Sequence, residues 1–235
     1  MPVISGSGSS VVTPLSLMAA VEHRLGEVRA RIAAASSGRD VRIVAVTKGF
    51  GIDVVEAAVG AGLADLGENY AQELQAKAND APPGVRWHFL GVLQTNKAAR
   101  LAPLVSEWEA VDRPVAGDAI ARHRQGAVVF VEVNVTGDPA RHGCRPSGAA
   151  PLVDHLRSRG LDVRGLMAVG PAGDHDASRD AFRRLAQLGR QLGLGELSMG
   201  MSDDYEVAIE EGATTVRLGR ALFGPRPGAG PARRY

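Results

Sequence analysis

The alternation of short apolar runs with helical segments is the feature that most constrains the fold. It recurs eight times along the 235-residue chain, and predicts strands at residues 41–48, 63–66, 85–90, 108–111, 127–135, 163–169, 196–199 and 215–218. Strands that alternate with helices through short loops form parallel sheets. Because the length is close to the ~250 residues typical of the fold, we predict an α/β protein, a single (β/α)8 TIM barrel. An open, doubly wound sheet is the alternative, although no Gly-x-Gly-x-x-Gly follows the first strand.

An amphipathic helix is predicted ahead of the barrel. Its apolar residues recur at spacings of three and four, as one face of a helix requires: Leu15, Met18, Val21, Leu25, Val28 and Ile32. Gly38 is predicted to end this helix. We therefore expect one barrel domain over residues 14–225 with an extra N-terminal helix. Residues 1–13, rich in Ser, Gly and Val, and residues 226–235, rich in Pro, Gly and Arg, are predicted to be disordered tails.

The composition argues against several classes of partner. The formal net charge is +1, from 27 basic and 26 acidic residues, and no basic patch is interleaved with aromatic residues, so neither nucleic acid nor a membrane surface is expected as a partner. Cys144 is the only cysteine, which excludes internal disulfides and cysteine-based metal sites and suits a reducing compartment. The first residues lack the basic and apolar segments of a signal peptide. We expect a cytoplasmic protein without a metal site.

Lys48 closes the first predicted strand and is unusual in this chain. The chain has only three lysines against 24 arginines, so Arg supplies its ordinary positive charges. An ε-amine can lose its proton in a dry site and condense with an aldehyde, whereas a guanidinium stays protonated. The simpler interpretation is a lysine that reaches solvent from a strand end, but the strand has the pattern of burial on both faces. We therefore interpret Lys48 as a reactive amine with a functional role.

The carboxyl ends of the strands are where a barrel places its active site. Those positions carry an amine, several amides and hydroxyls, and few carboxylates: Lys48, Glu68, Asn69, His88, Gln94, Asn96, Asn134, Met167, Ser198 to Ser202, Arg217, Gly219 and Arg220. This set lacks the paired carboxylates of a glycosidase, a His-x-x-x-His metal pair and a nucleophilic serine in a Gly-x-Ser-x-Gly turn. His88 is as consistent with a structural role as with a functional one.

Two glycine-containing loops near the end of the chain suggest an anion site. Residues 198–202 follow the seventh strand and residues 216–220 the eighth, and each leads into a helix. Loops after these two strands commonly bind phosphate in barrels, through backbone N–H groups. Tight turns alone are the alternative explanation. Asp203 and Glu206 have the spacing of a capping box, which would direct the Asp203 carboxylate to the helix backbone.

An amine at one strand end and a phosphate cradle at two others suit a phosphorylated aldehyde. Pyridoxal 5′-phosphate (PLP) is the leading candidate, and it also needs a group opposite its pyridine nitrogen. Arg217, at the end of the eighth strand, is the candidate for that role. A permanent cation there would keep the nitrogen unprotonated and weaken the ring as an electron sink. A salt-bridged surface arginine is the alternative interpretation.

Several longer motifs occur in one order along the chain, at residues 45–48 (Ala-Val-Thr-Lys), 67–73 (Gly-Glu-Asn-Tyr-Ala-Gln-Glu), 87–91 (Trp-His-Phe-Leu-Gly), 93–97 (Leu-Gln-Thr-Asn-Lys), 165–167 (Gly-Leu-Met), 197–204 (Leu-Ser-Met-Gly-Met-Ser-Asp-Asp) and 212–224 (Gly-Ala-Thr-Thr-Val-Arg-Leu-Gly-Arg-Ala-Leu-Phe-Gly). With them, roughly residues 15–226 resemble the pyridoxal phosphate homeostasis protein family.

The resemblance implies a fold-type III PLP barrel like the N-terminal domain of alanine racemase, without the second domain of that enzyme. It implies that Lys48 carries PLP as an aldimine and that Arg217 faces the pyridine nitrogen. It assigns the phosphate to Ser202, Gly219 and the backbone of Arg220, and the ring pocket to Asn69 and Met167. Members of the family are regarded as carriers or regulators of PLP without established turnover, and apo PLP-dependent enzymes are the implied recipients. We expect a monomer.

The sequence departs from the family pattern in two places. Gly49 follows Lys48 where the family usually has Thr or a larger residue. In the loop after the fifth strand the usual Ser-Lys-x-Gly is replaced by Ala140-Arg141-His142-Gly143. Because Arg141 cannot form an imine, the resemblance does not by itself assign a second cofactor station to that loop, and the sequence leaves this open.

Two enzyme functions remain as alternatives to a carrier. A PLP-dependent racemase-like enzyme would need a second base, for which Tyr70 is the candidate. A cofactor-free aldolase acting on a sugar phosphate through Lys48 would need an acid or base beside the amine, and Glu68 is the nearby candidate.

Overall fold

A computed structural model describes residues 14–226, so the predicted tails lie outside the described residues except for Arg226. Eight strands are present, β1 to β8, at Arg42–Val46, Asp65–Glu68, Arg86–Phe89, Val105–Val111, Val128–Glu132, Asp162–Met167, Glu196–Ser198 and Thr215–Leu218. The α-helices of the described chain, α1 to α9, span Pro14–Ser36, Ile52–Gly60, Ala71–Asp80, Ala98–Leu101, Pro114–His123, Ala149–Ser158, His175–Gln191, Tyr205–Glu210 and Arg220–Phe223.

The strands form a closed, all-parallel barrel in sequence order, and β8 pairs with β1 to complete the ring. The register sets Val44 of β1 against Arg217 of β8. It sets Glu132 of β5 against Met167 of β6. The predicted (β/α)8 barrel is therefore confirmed and the open sheet is excluded. Closure brings all eight carboxyl ends to one rim, which we call the mouth.

The predicted extra helix is α1, which packs on α2, α8 and α9 outside the barrel. Its predicted apolar face is buried at Val21, Leu25, Val28 and Ile32. Gly38 has a φ of 86°, a left-handed value that glycine adopts without a steric penalty, and it turns the chain toward β1. No helix in the described part of the chain is long and apolar enough to cross a membrane.

The main apolar core lies between the strands and the surrounding helices, whereas the barrel interior is largely polar. In the described chain, a small apolar cluster formed by Ala110, Phe130 and Met167 is separate from the main core. Several charged side chains are buried as well, including His88, Glu109, Glu132 and Arg217. A buried charge requires a partner, which His88 and Glu109 find in each other and Arg217 finds in Ser198 and Ala168.

Several strand boundaries differ from prediction, and two of the differences involve charged residues within a strand. The strand predicted at residues 63–66 is observed at Asp65–Glu68, and the weak strand at 108–111 is the seven-residue β4. Glu107 and Glu109 of β4 are both buried. Glu107 is bound by Arg42 of β1, so a prediction based on apolar runs missed the residues before Trp108.

Candidate cofactor site at the barrel mouth

Lys48 lies two residues beyond β1, on the mouth, and its side chain is half-buried. Burial is the main factor that lowers its pKa, and the cations Arg226 and Arg217 lower it further. The carboxylates of Glu68 and Glu73 oppose this shift but do not cancel it. A larger fraction of the amine is therefore neutral and nucleophilic than in an exposed lysine.

A second lysine fixes the backbone that carries Lys48. The ammonium of Lys77 is buried, and it donates to the carbonyl oxygen of Thr47 at 2.8 Å and to Glu68 Oε1 at 2.5 Å. The hydroxyl of Thr47 donates to the same Glu68 oxygen at 2.7 Å. The next residue is held as well, because the N–H of Gly49 donates to Glu73 Oε2 at 2.8 Å. These bonds fix the direction in which Lys48 leaves the strand.

Gly49, where the sequence departs from the family pattern, has a left-handed backbone conformation. Its φ is 75°, and an added Cβ would lie 3.0 Å from Cδ of Arg226. A left-handed residue with a side chain is strained, so glycine suits this turn. The turn also keeps Arg226 close to Lys48.

Arg217, on β8, is 5% exposed and its guanidinium is firmly anchored. Nη1 donates to the carbonyl and hydroxyl oxygens of Ser198 at 2.7 and 2.8 Å, and Nη2 donates to the carbonyl oxygen of Ala168 at 2.8 Å. Burial lowers the pKa of Arg217, while Glu109, Glu132 and Asp204 oppose that shift. A guanidinium has five N–H donors, and these three contacts leave donors for a ligand at the mouth.

The two residues predicted to line a ring pocket also lie at the mouth. Asn69 directly follows β2 and is half-buried. Met167 ends β6, is 2% exposed, and packs on Ala110 and Phe130 inside the barrel. The structure therefore places both residues at carboxyl ends of strands, on the mouth.

The two loops predicted to hold phosphate are joined directly. The N–H of Ala221 donates to the hydroxyl of Ser202 at 3.1 Å. Gly219 lies close to the end of β1, since an added Cβ would be 3.2 Å from the carbonyl oxygen of Val46. The side chain of Arg220 forms an ion pair with Asp203. The structure thus brings Ser202, Gly219 and Arg220 to one place.

The predicted capping box at Asp203 is wrong. The N-cap residue of α8 is Asp204, and its side chain accepts no bond from the first turn of the helix. The carboxylate of Asp204 accepts instead from the N–H of Met201, at 2.7 Å, within the loop after β7. Asp203 pairs with Arg220, which lies far along the chain and was not part of the local pattern.

Glu132, at the end of β5, was not singled out from the sequence. It is 7% exposed, and its Oε2 is buried with no hydrogen-bond partner within the described residues. Burial, with a smaller contribution from Asp112, raises the pKa of Glu132 to about 7, although Arg217 acts against the shift. A protonatable carboxyl group therefore lies beside Met167 in the wall of the mouth.

The loop after β5 contacts the loop after β6. Asn134 organises it by accepting from the N–H of Thr136 and of Gly137. Arg141 donates to the carbonyl oxygen of Gly170 at 2.7 Å, beyond the end of β6. Its guanidinium therefore ties two rim loops together, in addition to being unable to form an imine.

A comparison with known proteins shows which proteins the chain is similar to. The family model described as alanine racemase, N-terminal domain, matches residues 18–227. A pyridoxal phosphate homeostasis protein of Pseudomonas aeruginosa is 40% identical over 231 residues, which is 92% of this chain and 100% of that protein. One of Deinococcus radiodurans is 40% identical over 201 residues, covering 82% of this chain and 95% of that protein. The chain belongs to the pyridoxal phosphate homeostasis protein family.

Solved structures agree with this family. PipY of Synechococcus elongatus, in a structure with PLP bound, has a TM-score of 0.75 and 29% identity, covering 87% of this chain and 100% of that one. An alanine racemase of Streptomyces coelicolor shares only the fold, with a TM-score of 0.69 and 19% identity, over 88% of this chain and 58% of the racemase.

For this family member, sequence reasoning missed Lys77, Glu109 and Glu132. Lys77 is one of only three lysines, so the rarity that singled out Lys48 would have found it too. Glu132 interrupts a run of valines in β5, which is also a visible signal. Glu109 gives no such signal because its partners are contributed by other strands.

Proposed function

We propose that this family member binds PLP at Lys48 and acts as a reversible carrier of the cofactor, without catalytic turnover of its own. The observation that carries the proposal is the half-buried Lys48, with a lowered pKa, on the same mouth as the buried guanidinium of Arg217. Arg217 is one of the cations that lower the pKa of Lys48, so both groups act on the same space. The PLP-bound structure of PipY supports the choice of ligand.

The side chains at the mouth fit such a ligand. PLP supplies an aldehyde conjugated to an electron-withdrawing ring. Lys48 offers the amine for the aldehyde carbon, Ser202 and Gly219 line the place proposed for the phosphate, and Asn69 and Met167 flank the ring. Gly219 allows a close backbone approach, and the hydroxyl of Ser202 already bridges the two loops.

Arg217 favours a carrier over an enzyme. A guanidinium stays charged, so when it faces the pyridine nitrogen it keeps that nitrogen unprotonated and weakens the ring as an electron sink. The contacts with Ser198 and Ala168 hold Arg217 in one position. A weak sink suits storage of the cofactor better than cleavage of a bond in a bound amino acid.

The racemase-like alternative needs a second base, and the predicted candidate is an exposed side chain at the mouth. Tyr70 precedes α3 and is 61% exposed. Tyr205 is buried in α8, which packs against α1 outside the barrel. Glu68 faces Thr47 and Lys77 through one oxygen, which leaves the aldolase alternative with only the unpartnered Oε2.

Reduction with borohydride tests the proposal. We expect wild-type protein mixed with PLP to absorb visible light, to lose that colour on reduction, and to carry a pyridoxyl group on Lys48 in peptide mapping. Lys48→Ala should remain unmodified, while Lys97→Ala, which changes the half-buried lysine of the loop before α4, should be labelled like wild type. Labelling of wild type only with a sugar phosphate would favour the aldolase, and no adduct on Lys48 would refute the carrier.

Delivery to apo PLP-dependent enzymes is the second part of the proposal. Loaded protein should reactivate an apo-enzyme in the presence of a scavenger of free PLP, because the cofactor would remain shielded at the mouth until transfer. The same concentration of free PLP is the control. Equal reactivation by the two sources would argue against delivery and leave binding intact.

Size-exclusion chromatography with light scattering tests the expected monomer.

A further inference from the structure

A chain of buried polar side chains runs from Arg217 through the interior of the barrel. The hydroxyl of Ser198, which accepts from Arg217 at 2.8 Å, donates to Glu109 Oε2 at 2.5 Å. The other oxygen of Glu109 contacts Nδ1 of His88 at 2.7 Å. Nε2 of His88 contacts Asp65 Oδ1 at 3.0 Å. We call Arg217, Ser198, Glu109, His88 and Asp65 the interior relay.

The relay extends to the opposite end of the barrel. Asp65 begins β2 and accepts from Nε and Nη2 of Arg86 at 2.8 and 2.5 Å. Both residues line an open cavity of about 620 Å³ beside α1 and the amino end of β1. His88, Glu109 and Ser198 are fully buried between this cavity and the mouth. The five relay residues come from β2, β3, β4, β7 and β8, so the relay joins much of the barrel wall.

The charges of the relay alternate in sign. Burial alone would lower the pKa of His88, but hydrogen bonds with Asp65 and Glu109 and the charges of Glu109 and Glu107 raise it to about 9. Burial would raise the pKa of Glu109, but His88, Arg217 and Ser198 together lower it. His88 is therefore an imidazolium at neutral pH, and both of its ring N–H groups donate to carboxylates.

We propose that His88 is a positioning residue for the cofactor site, which acts through Glu109 and Ser198 on the guanidinium of Arg217. The inference rests on the proposed function, in which Arg217 faces the pyridine nitrogen. The anion Glu109 lies between two cations, 2.7 Å from His88 and 4.0 Å from Arg217. Because it is shared, a change at either cation alters the force on the other, and this coupling is reciprocal.

A metal ion is the competing interpretation of the same residues. One ligand atom each of His88, Glu107 and Glu109 lie within 4.8 Å of one another. The relay is the better interpretation because Arg42 already binds both oxygens of Glu107, at 2.6 and 2.9 Å. Asp65 and Glu109 both accept from the ring of His88, which a protonated imidazole satisfies and a metal ligand does not.

Nitrogen NMR of the histidine rings tests the proposal without relying on activity. On addition of PLP to wild-type protein, we expect the ring nitrogen signals of His88 to shift. His155 is the internal control, because its ring contacts Asp118 on the outside of the barrel and should not respond. Unmoved His88 signals in protein that carries PLP on Lys48 would overturn the relay while leaving the carrier function intact. Absence of PLP from the protein would instead refute the carrier function.

Two buried variants test the path of the coupling. Ser198→Ala removes the hydroxyl between Arg217 and Glu109, but the backbone contacts of Arg217 remain, so we expect the PLP-induced shift of His88 to be lost or at least halved. Thr215→Val is the matched control, because the Thr215 hydroxyl accepts from Arg42 at 3.2 Å and is not part of the relay. A full shift in Ser198→Ala would contradict the path. If that variant does not fold, the wild-type titration still decides the proposal, and zinc bound stoichiometrically to purified protein would favour the metal ion instead.

Discussion

At the scale of single residues, the site depends on charged groups that differ in how completely they are paired. Lys77 has carboxylate and carbonyl partners and serves to fix the backbone of Thr47. Lys48, the residue after Thr47, is not held by partners of this kind and has a lowered pKa. Pairing therefore distinguishes the structural lysine on α3 from the reactive lysine after β1. The rarity of lysine alone could not make this distinction.

Glu132, whose Oε2 has no hydrogen-bond partner among the described residues, gives a prediction on stability. The folded protein holds the Glu132 proton to about pH 7, whereas the unfolded chain releases it near 4.5, so stability falls as the pH rises through this window. The pKa difference corresponds to about 3 kcal/mol. We expect Glu132→Gln to be more stable than wild type at pH 8, by up to that amount, and little different at pH 4.5. Urea unfolding at both values measures it.

A surface carboxyl group provides the control for Glu132. Glu22, exposed on α1, should give a Glu22→Gln variant whose stability follows that of wild type at both pH values. A Glu132→Gln variant that is equally destabilised at pH 4.5 and pH 8 would show that the carboxyl group has an unseen partner in the fold.

At the scale of elements, the turn after β1 holds the backbone next to Lys48. The left-handed backbone of Gly49 allows the turn, and its N–H reaches Glu73 of α3. An Ala at this position would cost about 1–2 kcal/mol for the left-handed conformation and would press on Arg226. We expect Gly49→Ala to reduce both the unfolding free energy and the yield of PLP trapped on Lys48 by borohydride.

The control for Gly49 is a glycine in a regular helix. Gly26 of α1 has open space around an added Cβ and no strained φ. Because Ala favours helix more than Gly by about 1 kcal/mol, Gly26→Ala should stabilise the protein and leave trapping unchanged. Normal trapping in Gly49→Ala would mean that the turn does not position Lys48.

The elements also show what a sequence can and cannot predict. The apolar face of α1 and the strand β8 were predicted correctly because the periodicity and apolar character on which they depend are local. β4 was predicted to begin at Trp108 but begins at Val105, because Glu107, which Arg42 of β1 binds, belongs to the strand. Asp203 was predicted from local spacing to cap a helix, but it forms an ion pair with Arg220, the first residue of α9. Errors therefore occurred where distant residues supply the stabilising contact.

At the scale of the whole molecule, barrel closure converts distant residues into one site. Lys48 and Arg217 are far apart in sequence, but the pairing of β8 with β1 brings both to the same part of the mouth. The Lys48 and Arg217 roles were inferred from strand ends and from the family resemblance. The interior relay was not, because the sequence does not show which inward-facing side chains meet across a closed barrel.

His88 makes the stability of the whole barrel depend on pH. The folded protein keeps the His88 proton to about pH 9, whereas the unfolded chain releases it near 6.5. A group whose pKa is raised by folding contributes fully below its unfolded value, so this contribution is lost as the pH rises from 6.5 to 9. It is on the order of 3 kcal/mol. We expect urea unfolding to show the decline in wild type and a flatter profile in His88→Gln.

The pH window identifies the group responsible. The loss of stability due to Glu132 is complete by about pH 7. A further loss of stability between pH 7 and 9 is therefore due to His88 rather than to Glu132. The double variant Glu132→Gln with His88→Gln should lose both declines. A departure from additivity would measure coupling through Arg217, which acts on the pKa of Glu132 and shares Glu109 with His88. A wild-type profile that is flat from pH 7 to 9 would mean that His88 is neutral in the fold. The barrel interior would then be held by neutral hydrogen bonds, and Glu109 would have Arg217 as its only cationic partner within the relay.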